Sequence, residues 1–407
     1  MGNEFRLPDL TTGLITKREL KDTTNSKLNL EEYFPEGHGK TYEIDGWVDN
    51  FNLDRILSYG FEWGASDVHI TTNQKIAFTR LGMIEKYDEF GIIEKDLMFD
   101  LTTAILPSTL WSVLSTDFDL DTSYILRHGP YKGRRCRLNI GKSFGSYFMV
   151  FRLISDEIPS VVELGIDEEL IKWSEMSNGV WLVCGSTGTG KTTTLASIIR
   201  NRLNDRIKII TIEKPIEFIY PVDTAGVIIQ REVGEEGSDV RSFSNGLTAA
   251  MREAPDIIMI GEVRNQEEVQ ELIRAAETGH LAVSTMHTNS VPTTINRIIS
   301  LYEGGEQKRI MSTLSDTLRG ITNQVLVRTK DGKSRFAIRE ILTITSEVRK
   351  YIATGNVSAI KEYMKERGLL MEQQLIRAYL DNRISIEEAK RVAPDLNLFE
   401  ELLGGEE

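Results

Sequence analysis

This chain of 407 residues has little cysteine, and it lacks long apolar runs and an excess of positive charge. Its two cysteines, Cys136 and Cys184, can build neither a disulfide framework nor a four-thiolate zinc site, so a reducing compartment is expected. No apolar run approaches the ~18 residues that a membrane helix needs, and the first residues lack the layout of a signal peptide. These absences predict a cytoplasmic protein that reaches a membrane only through partners.

Acidic residues outnumber basic ones. The chain has 61 Asp and Glu against 48 Lys and Arg, which gives a net charge of -13. Because nucleic acids are bound by clustered positive charge, this composition disfavours a nucleic-acid partner. Hydrophobic residues at 40% and charged residues at 27% exclude disordered and collagen-like chains. The length exceeds that of one hydrophobic core and predicts at least two domains.

The patterning divides the chain into five segments. Residues 1–45 are polar and weakly patterned, and are predicted to form an N-terminal extension. Short strands and helices over 46–155 predict a small α+β domain, followed by a linker over 156–168. Strands that alternate with helices over 169–345 predict an α/β domain with a mostly parallel sheet. Residues 346–407 have the spacing of short C-terminal helices.

Individual elements can be predicted within the two central segments. The predicted strands of the first are 67–71, 75–79, 135–140 and 147–152, with a helix over 97–105. The predicted strands of the second are 180–184, 207–212, 257–260 and 281–285, with a helix that ends near Asn201. These four strands of the second segment are short and mostly apolar, which is typical of strands buried in the middle of a parallel sheet.

The most specific motif is a glycine-rich phosphate-binding loop, Gly185-Ser-Thr-Gly-Thr-Gly-Lys-Thr192, between a predicted strand and a predicted helix. Glycines let the backbone approach a phosphate, and N–H groups at a helix start point toward it. Lys191 is expected to neutralise the β and γ phosphates, and Thr192 to bind Mg²⁺. The residues expected to contact ATP here are Gly185, Ser186, Thr187, Gly188, Thr189, Gly190, Lys191, Thr192 and Thr193.

Carboxylates follow two further predicted strands. Glu262 comes after the strand 257–260 and is the candidate to support Mg²⁺ and the attacking water, although Gly261 stands where an Asp is usual. Glu213 and Glu217 leave the strand 207–212, and either of them could act as the general base. The alternative for each glutamate is a solvent-facing charge at the end of a strand.

Two histidines and a basic cluster are open to several interpretations. His280 and His287 bracket the strand 281–285, where they could sense the γ-phosphate or make ordinary core hydrogen bonds. The basic cluster could form a solvated strand face, contact a nucleotide in the same or a neighbouring subunit, or bind nucleic acid. The last option has the least support, because no aromatic residues interleave with the basic ones. The basic cluster consists of Lys132, Arg134, Arg135 and Arg137, with Arg152 on a later predicted strand.

The order of these motifs resembles that of the type II/type IV secretion-system ATPase superfamily, over residues 60 to 355. The matching blocks are Gly64–Ile70, the phosphate loop, Thr211–Glu217, Gln230–Gly234, Ala254–Arg264, Ala275–Leu281 and Thr285–Asn289. The resemblance implies a PAS-like N-terminal domain and a RecA-like P-loop ATPase domain. It also implies a homohexamer that binds ATP and Mg²⁺ between domains and subunits.

The resemblance also implies roles for individual residues. Lys191 matches the Walker A lysine, Glu217 the catalytic glutamate and Glu262 the Walker B glutamate. His280 and His287 match the histidines of the His box. The N-terminal arginines that reach nucleotide correspond best to Arg135, Arg137 and Arg152. Lys214 departs from the family, since many relatives have Asp or a small residue at that position.

The resemblance narrows the function to two branches. The scarcity of cysteine excludes the four-cysteine zinc module of assembly ATPases. Ser346–Ile352 resembles the pilus-retraction (PilT-like) branch, whereas Leu120–Tyr124 and Ile338–Leu342 resemble the type IVB secretion and conjugation (DotB-like) branch, which is favoured. The expectation is a hexameric ATP-hydrolysing motor that works with inner-membrane components of such an apparatus. A pilus-retraction ATPase, a nucleic-acid translocase and a non-motor nucleotide-binding regulator are the alternatives.

Overall fold

The computed structural model describes residues 47–48, 51–80, 82–88, 90–154, 158–234, 238–332 and 334–405. The predicted N-terminal extension over residues 1–45 lies outside these ranges. The chain separates into two compact units. The described residues of the first unit lie within 47–154, and those of the second within 158–405.

The described residues of the first unit form a six-stranded antiparallel sheet, a two-stranded sheet and three helices. Its strands are β1 (Trp47–Val48), β2 (Phe51–Asn52), β3 (Asp67–Thr71), β4 (Ala77–Arg80), β5 (Met83–Lys86), β6 (Asp119–Ile125), β7 (Arg135–Ser143) and β8 (Ser146–Leu153). Its helices are α1 (Leu53–Glu62), α2 (Lys95–Ile105) and α3 (Ser108–Asp117). The strand order in the large sheet is β5-β4-β3-β8-β7-β6, and β1 pairs with β2.

Apolar and polar residues alternate along the strands, which explains why this sheet has one buried face. On β7, Cys136, Leu138 and Ile140 are buried in the core of the unit, whereas the alternate residues Arg135 and Arg137 are half-buried on the opposite face. Successive side chains on a strand point to opposite faces, so the apolar set faces the helices. The predicted small α+β architecture of this region is confirmed.

The second unit contains a seven-stranded sheet and eleven described helices. Its strands are β9 (Gly179–Cys184), β10 (Lys208–Glu213), β11 (Val227–Glu232), β12 (Ile257–Ile260), β13 (Leu281–Met286), β14 (Leu318–Arg328) and β15 (Arg335–Thr343). Its helices are α4 (Glu168–Ser174), α5 (Lys191–Arg202), α6 (Phe243–Ala250), α7 (Gln266–Glu277), α8 (Val291–Ser300), α9 (Gly305–Thr317), α10 (Ser346–Ala353), α11 (Val357–Glu366), α12 (Met371–Leu380), α13 (Ile386–Val392) and α14 (Leu396–Gly404). In the portions of the chain covered by the structure, none of the helices has both the length and the apolar character that a bilayer span requires.

The sheet of the second unit is parallel except at one edge, as predicted. Its strand order is β11-β10-β12-β13-β9-β14-β15. Of the described strand pairs in this sheet, only β14–β15 is antiparallel. On β9, Val180 and Leu182 face one hydrophobic core, whereas Trp181 and Val183 face the other. Helices cover both faces, which is why the central strands are mostly apolar. The α/β fold with a mostly parallel sheet is confirmed.

The C-terminal helices pack against the β14–β15 hairpin. A separate core contains Val327 and Ile338 of the hairpin with Met371, Leu375 and Phe399 of α12 and α14. The predicted helices after residue 345 are confirmed. The sequence prediction omitted β11, β14 and β15, because polar residues interrupt the apolar pattern that identified the other strands.

Gly320 on β14 leaves room for the buried ring of Trp173. A Cβ at this position would overlap atoms of that ring, so Gly320→Ala is expected to lower the free energy of unfolding by about 1–3 kcal/mol through overpacking. Gly305→Ala is the matched control, because a Cβ at the start of α9 would have no atom within 4 Å. Urea denaturation should show a loss only for Gly320→Ala, and equal stability of the two variants would contradict this packing.

Candidate nucleotide-binding site

The glycine-rich loop connects the end of β9 to the start of α5. Gly185, Gly188 and Gly190 have φ angles of 143°, 80° and 84°, in the region that L side chains rarely adopt. A Cβ at Gly185 would also lie 2.6 Å from the carbonyl oxygen of Gln324 and from Oγ1 of Thr189. The strand–loop–helix arrangement is the one that the motif predicts, and its shape requires glycine.

Lys191 is buried at the centre of this loop, with 7% of its surface exposed. Its ammonium group donates to the carbonyl oxygens of Gly185 at 2.8 Å and Ser186 at 2.9 Å. Burial lowers the pKa of Lys191, and the nearby carboxylates of Glu262 and Glu217 oppose that shift. The structure therefore brings the predicted Walker A lysine close to two predicted carboxylates.

His287 lies between Lys191 and Glu262. Its Nδ1 is 3.5 Å from Nζ of Lys191, and its Nε2 is 3.5 Å from Oε2 of Glu262. His287 occupies this position because β13, the strand that precedes it, lies between β9 and β12 in the sheet. Burial, followed by the charge of Lys191, lowers the pKa of His287 and favours the neutral ring. A proton on Nε2 would let the ring accept from Lys191 and donate to Glu262.

Hydrogen bonds of the residues on either side of Glu262 fix its position after the end of β12. The hydroxyl of Thr285 donates to the carbonyl oxygen of Gly261 at 2.7 Å, and the N–H of Val263 donates to the carbonyl oxygen of Thr285 at 3.0 Å. The Glu262 carboxylate also forms an ion pair with Arg264. A Cβ at Gly261 would lie 3.4 Å from Cα of Glu213, so an Asp there would stand beside a second, buried glutamate.

Glu213 and Glu217 occupy different environments. Glu213 is 3% exposed and accepts hydrogen bonds from the hydroxyl of Thr211 at 2.7 Å, from the backbone N–H of Glu217 and from the side chain of Gln230. Burial, together with the nearby charge of Glu217, raises the pKa of Glu213 to about 7, although these hydrogen bonds oppose the shift. Glu217 is half-buried and close to Lys191. Glu213 thus organises the segment that carries Glu217, and a direct contact of Glu213 with nucleotide stays a prediction.

Two kinds of predicted site residue do not lie at the loop within the second unit. His280 is at the other end of β13, and the three N-terminal arginines belong to the first unit. His280 precedes β13, so at about 3.3 Å per residue it lies roughly 20 Å from His287. Its Nδ1 is 3.1 Å from Oγ1 of Thr278. Arg137 and Arg152 belong to the first unit, where they contact Asp121 at 3.4 Å and Asp67 at 3.0 Å, and Arg135 lies on the same strand as Arg137. Nucleotide contacts of these four residues stay predictions.

Sequence reasoning missed two polar residues that contact the loop. Gln324 is fully buried on β14 and donates to the carbonyl oxygen of Thr189 at 2.6 Å. Asn289 accepts from the hydroxyl of Ser186 at 3.4 Å. The sequence contained a signal for Gln324, because the polar residues 322–324 interrupt an otherwise apolar stretch.

The oxygen donors near the loop fit a magnesium ion. Within the described ranges, no group of three or more His, Cys, Asp or Glu side chains could hold a metal by itself. Mg²⁺ needs only one or two protein oxygens when phosphates supply the remainder. Thr192 in the first turn of α5 and Glu262 are hard oxygen donors of that kind. These two residues would hold the ion.

Ionisation of Glu213 predicts a pH dependence of stability. Because its pKa is about 7 in the folded protein against 4.5 normally, the native carboxyl keeps a proton that the unfolded chain has lost between these values. The contribution of Glu213 to the free energy of unfolding therefore falls as the pH rises from about 4.5 to 7, and is level above that range.

Glu213→Gln, which mimics the neutral carboxyl, should remove this slope. Urea denaturation of wild type and Glu213→Gln at pH 5, 6, 7 and 8 would measure it, with Glu267→Gln at an exposed site as the control. We expect the stability of wild type relative to Glu213→Gln to decrease up to pH 7. Parallel curves for these two proteins would contradict the raised pKa.

Comparisons with known proteins show the family to which the chain is similar. Residues 150–391 match the family model described as "Type II/IV secretion system protein". The type IV pilus retractation ATPase PilT of Pseudomonas aeruginosa is 31% identical over 328 residues, which are 80% of this chain and 92% of that protein.

Two solved structures extend the likeness to the fold. A crystal structure of the pilus retraction motor PilT with bound ADP has a TM-score of 0.77 and 32% identity, covering 86% of this chain and 99% of that one. The ATPase DotB of Legionella pneumophila has a TM-score of 0.73 and 28% identity, covering 84% and 94%. The predicted RecA-like ATPase fold, with a smaller N-terminal domain and C-terminal helices, is confirmed. The chain belongs to the type II/IV secretion ATPase superfamily, which includes PilT-like and DotB-like members.

Proposed function

We propose that this protein is an ATP-hydrolysing motor of a secretion, conjugation or pilus apparatus. The observation that carries the proposal is the row formed by Lys191, His287 and Glu262 at the carboxyl end of the parallel sheet. The two solved structures compared above are an ATPase and a motor by name, and one of them holds ADP. A phosphate loop alone would bind nucleotide, whereas the adjacent carboxylates supply the groups that hydrolysis requires.

Lys191 has the first role in this mechanism. Its ammonium group is held by the carbonyl oxygens of Gly185 and Ser186, at the place where the loop would enclose a phosphate. On binding, Lys191 exchanges these neutral acceptors for phosphate oxygens, which is favourable because the charge is buried. The backbone N–H groups at the start of α5 complete the cradle for the nucleotide.

The carboxylates have separate roles. Glu217 orders the attacking water and accepts its proton, since it lies close to Lys191 without being buried itself. Glu262 supports Mg²⁺ together with Thr192, and neutral His287 keeps the Glu262 carboxylate directed toward the loop. Mg²⁺, when bound, neutralises charge that develops on the β and γ phosphate oxygens.

The proposed assembly is a homohexamer recruited to inner-membrane components of the apparatus. His280 and the arginines Arg135, Arg137 and Arg152 then contact nucleotide from the N-terminal domain or from a neighbouring subunit. An arginine that reaches a phosphate in this way can raise the hydrolysis rate by ~10³ to 10⁵. The partially exposed sites of Arg137 and Arg152 in the first unit leave both guanidinium groups accessible to such a ligand.

Two kinds of machine remain candidates. A DotB-like role in type IV secretion or conjugation is supported by the segments Leu120–Tyr124 and Ile338–Leu342 and by the TM-score of 0.73 with DotB. Pilus retraction is supported by Ser346–Ile352 and by the TM-score of 0.77 with PilT. We favour the role in type IV secretion or conjugation. The identity of the partner protein would distinguish it from pilus retraction.

Lys191→Ala should abolish ATP binding and hydrolysis, because the buried positive charge at the phosphate position is lost. Lys214→Ala is a matched control, since Lys214 is exposed. Steady-state release of phosphate should fall at least about 100-fold for Lys191→Ala and change less than about twofold for Lys214→Ala. Normal turnover of Lys191→Ala, or loss of activity in Lys214→Ala, would contradict the assignment.

Glu262→Gln should bind ATP but hydrolyse it at least about 100-fold more slowly, since the amide keeps the shape and loses the charge. Fluorescent ATP binding and phosphate release measure the two properties separately. Complexes that co-purify with this trapped variant would identify the apparatus: conjugation or secretion coupling proteins support the first role, and a pilus platform supports the second. Unchanged turnover of Glu262→Gln would contradict the proposed mechanism.

A further inference from the structure

Two buried polar side chains face each other on the β14–β15 hairpin. Gln324 and Arg339 are register partners, and their exposed fractions are 0% and 7%. An amide and a guanidinium group are costly to bury unless hydrogen bonds satisfy them. Their hydrogen-bond partners therefore show what the pair holds in place, and these partners lie in two separate segments that both precede the hairpin in the chain.

Gln324 fixes one peptide unit of the phosphate loop. Its Nε2 donates to the carbonyl oxygen of Thr189 at 2.6 Å, and its Oε1 accepts from the hydroxyl of Thr194 on α5 at 3.0 Å. In a trans peptide the C=O and N–H groups point in opposite directions. With the carbonyl of Thr189 turned toward Gln324, the N–H of Gly190 is directed into the loop, where a phosphate would accept it.

Arg339 extends this contact to the segment that precedes α4. Its Nε donates to Oε1 of Gln324 at 3.4 Å, and its Nη1 donates to Oδ2 of Asp167 at 2.9 Å and to the carbonyl oxygen of Gly165 at 3.1 Å. Residues 158–167 are the first described residues after the first unit in the chain. One guanidinium group thus contacts both the residue that orients the loop and this segment.

We propose that Thr189, Gln324, Arg339 and Asp167 form a hydrogen-bonded relay that couples nucleotide binding at the phosphate loop to the segment 158–167. Gln324 and Arg339 are positioning residues, since neither side chain would touch the nucleotide. Phosphate oxygens that engage the N–H of Gly190 hold the peptide in the orientation that Gln324 requires. Because coupling between two sites is reciprocal, ordering of the segment by Arg339 favours the same loop conformation. The inference rests on the proposed binding of nucleotide.

Gln324→Glu isolates the contact with the loop. The carboxylate keeps the size of the side chain and can still accept from Thr194 and Arg339, but it places an acceptor against the carbonyl oxygen of Thr189. The dissociation constant of fluorescent ADP with Mg²⁺ should rise by about tenfold, as expected for one lost buried hydrogen bond. Ile338→Val, which trims a buried side chain of the same hairpin, is the control and should stay within about twofold of wild type.

Hydrogen–deuterium exchange of the full chain tests the coupling. Saturating ADP with Mg²⁺ should slow exchange of the amides over 158–167 in wild type and in Ile338→Val. In Arg339→Lys the nucleotide should still bind within about threefold of wild type, but the change over 158–167 should be lost, because one ammonium group cannot replace the planar guanidinium at Gln324 and Asp167 together. An equal nucleotide-dependent change in wild type and Arg339→Lys would overturn the relay.

The two proposals fail in different ways. If wild type binds neither ATP nor ADP, the proposed function is wrong. If wild type binds ADP and Gln324→Glu binds it equally well, the relay is wrong and the proposed function stands. Should Gln324→Glu not fold, as circular dichroism would show, Arg339→Lys alone decides, since it retains the buried positive charge.

Discussion

A buried ammonium group at the carboxyl end of a parallel sheet is the constraint on which the rest of the site depends. An unpaired charge inside a protein is too costly to persist, so Lys191 must have oxygen partners. In this chain the carbonyl oxygens of Gly185 and Ser186 supply them and hold the loop around the lysine. The shape that satisfies the lysine is therefore the shape that would enclose a phosphate.

The strand order places several further polar groups beside this buried lysine. Parallel strands end at the same edge of a sheet, so the residues that follow β10, β12, β13 and β9 lie side by side. Because β13 is central in that series, His287 contacts both Lys191 and Glu262. The antiparallel hairpin at the edge adds Gln324, which approaches the loop from the other side of β9.

The sequence predicted where some of these residues lie in the fold, for identifiable reasons. The loop and Glu262 are each fixed by a short contiguous pattern, a strand followed by a turn, and the structure places them as that pattern requires. His280 and His287 looked equivalent because they bracket one strand, yet the extended strand separates them by roughly 20 Å. Glu213 and Glu217 looked equivalent too, and only burial distinguishes the supporting carboxyl from the accessible one.

The sequence by itself determined the fold class, the phosphate loop and the family, since these depend on local periodicity and on backbone angles that glycine allows. Tertiary structure alone decided which polar groups meet. Gln324 contacts Thr189 across 135 residues, and His287 reaches Lys191 across 96. Such contacts follow from strand order and burial, which bring distant segments together, and no window along the sequence contains both partners.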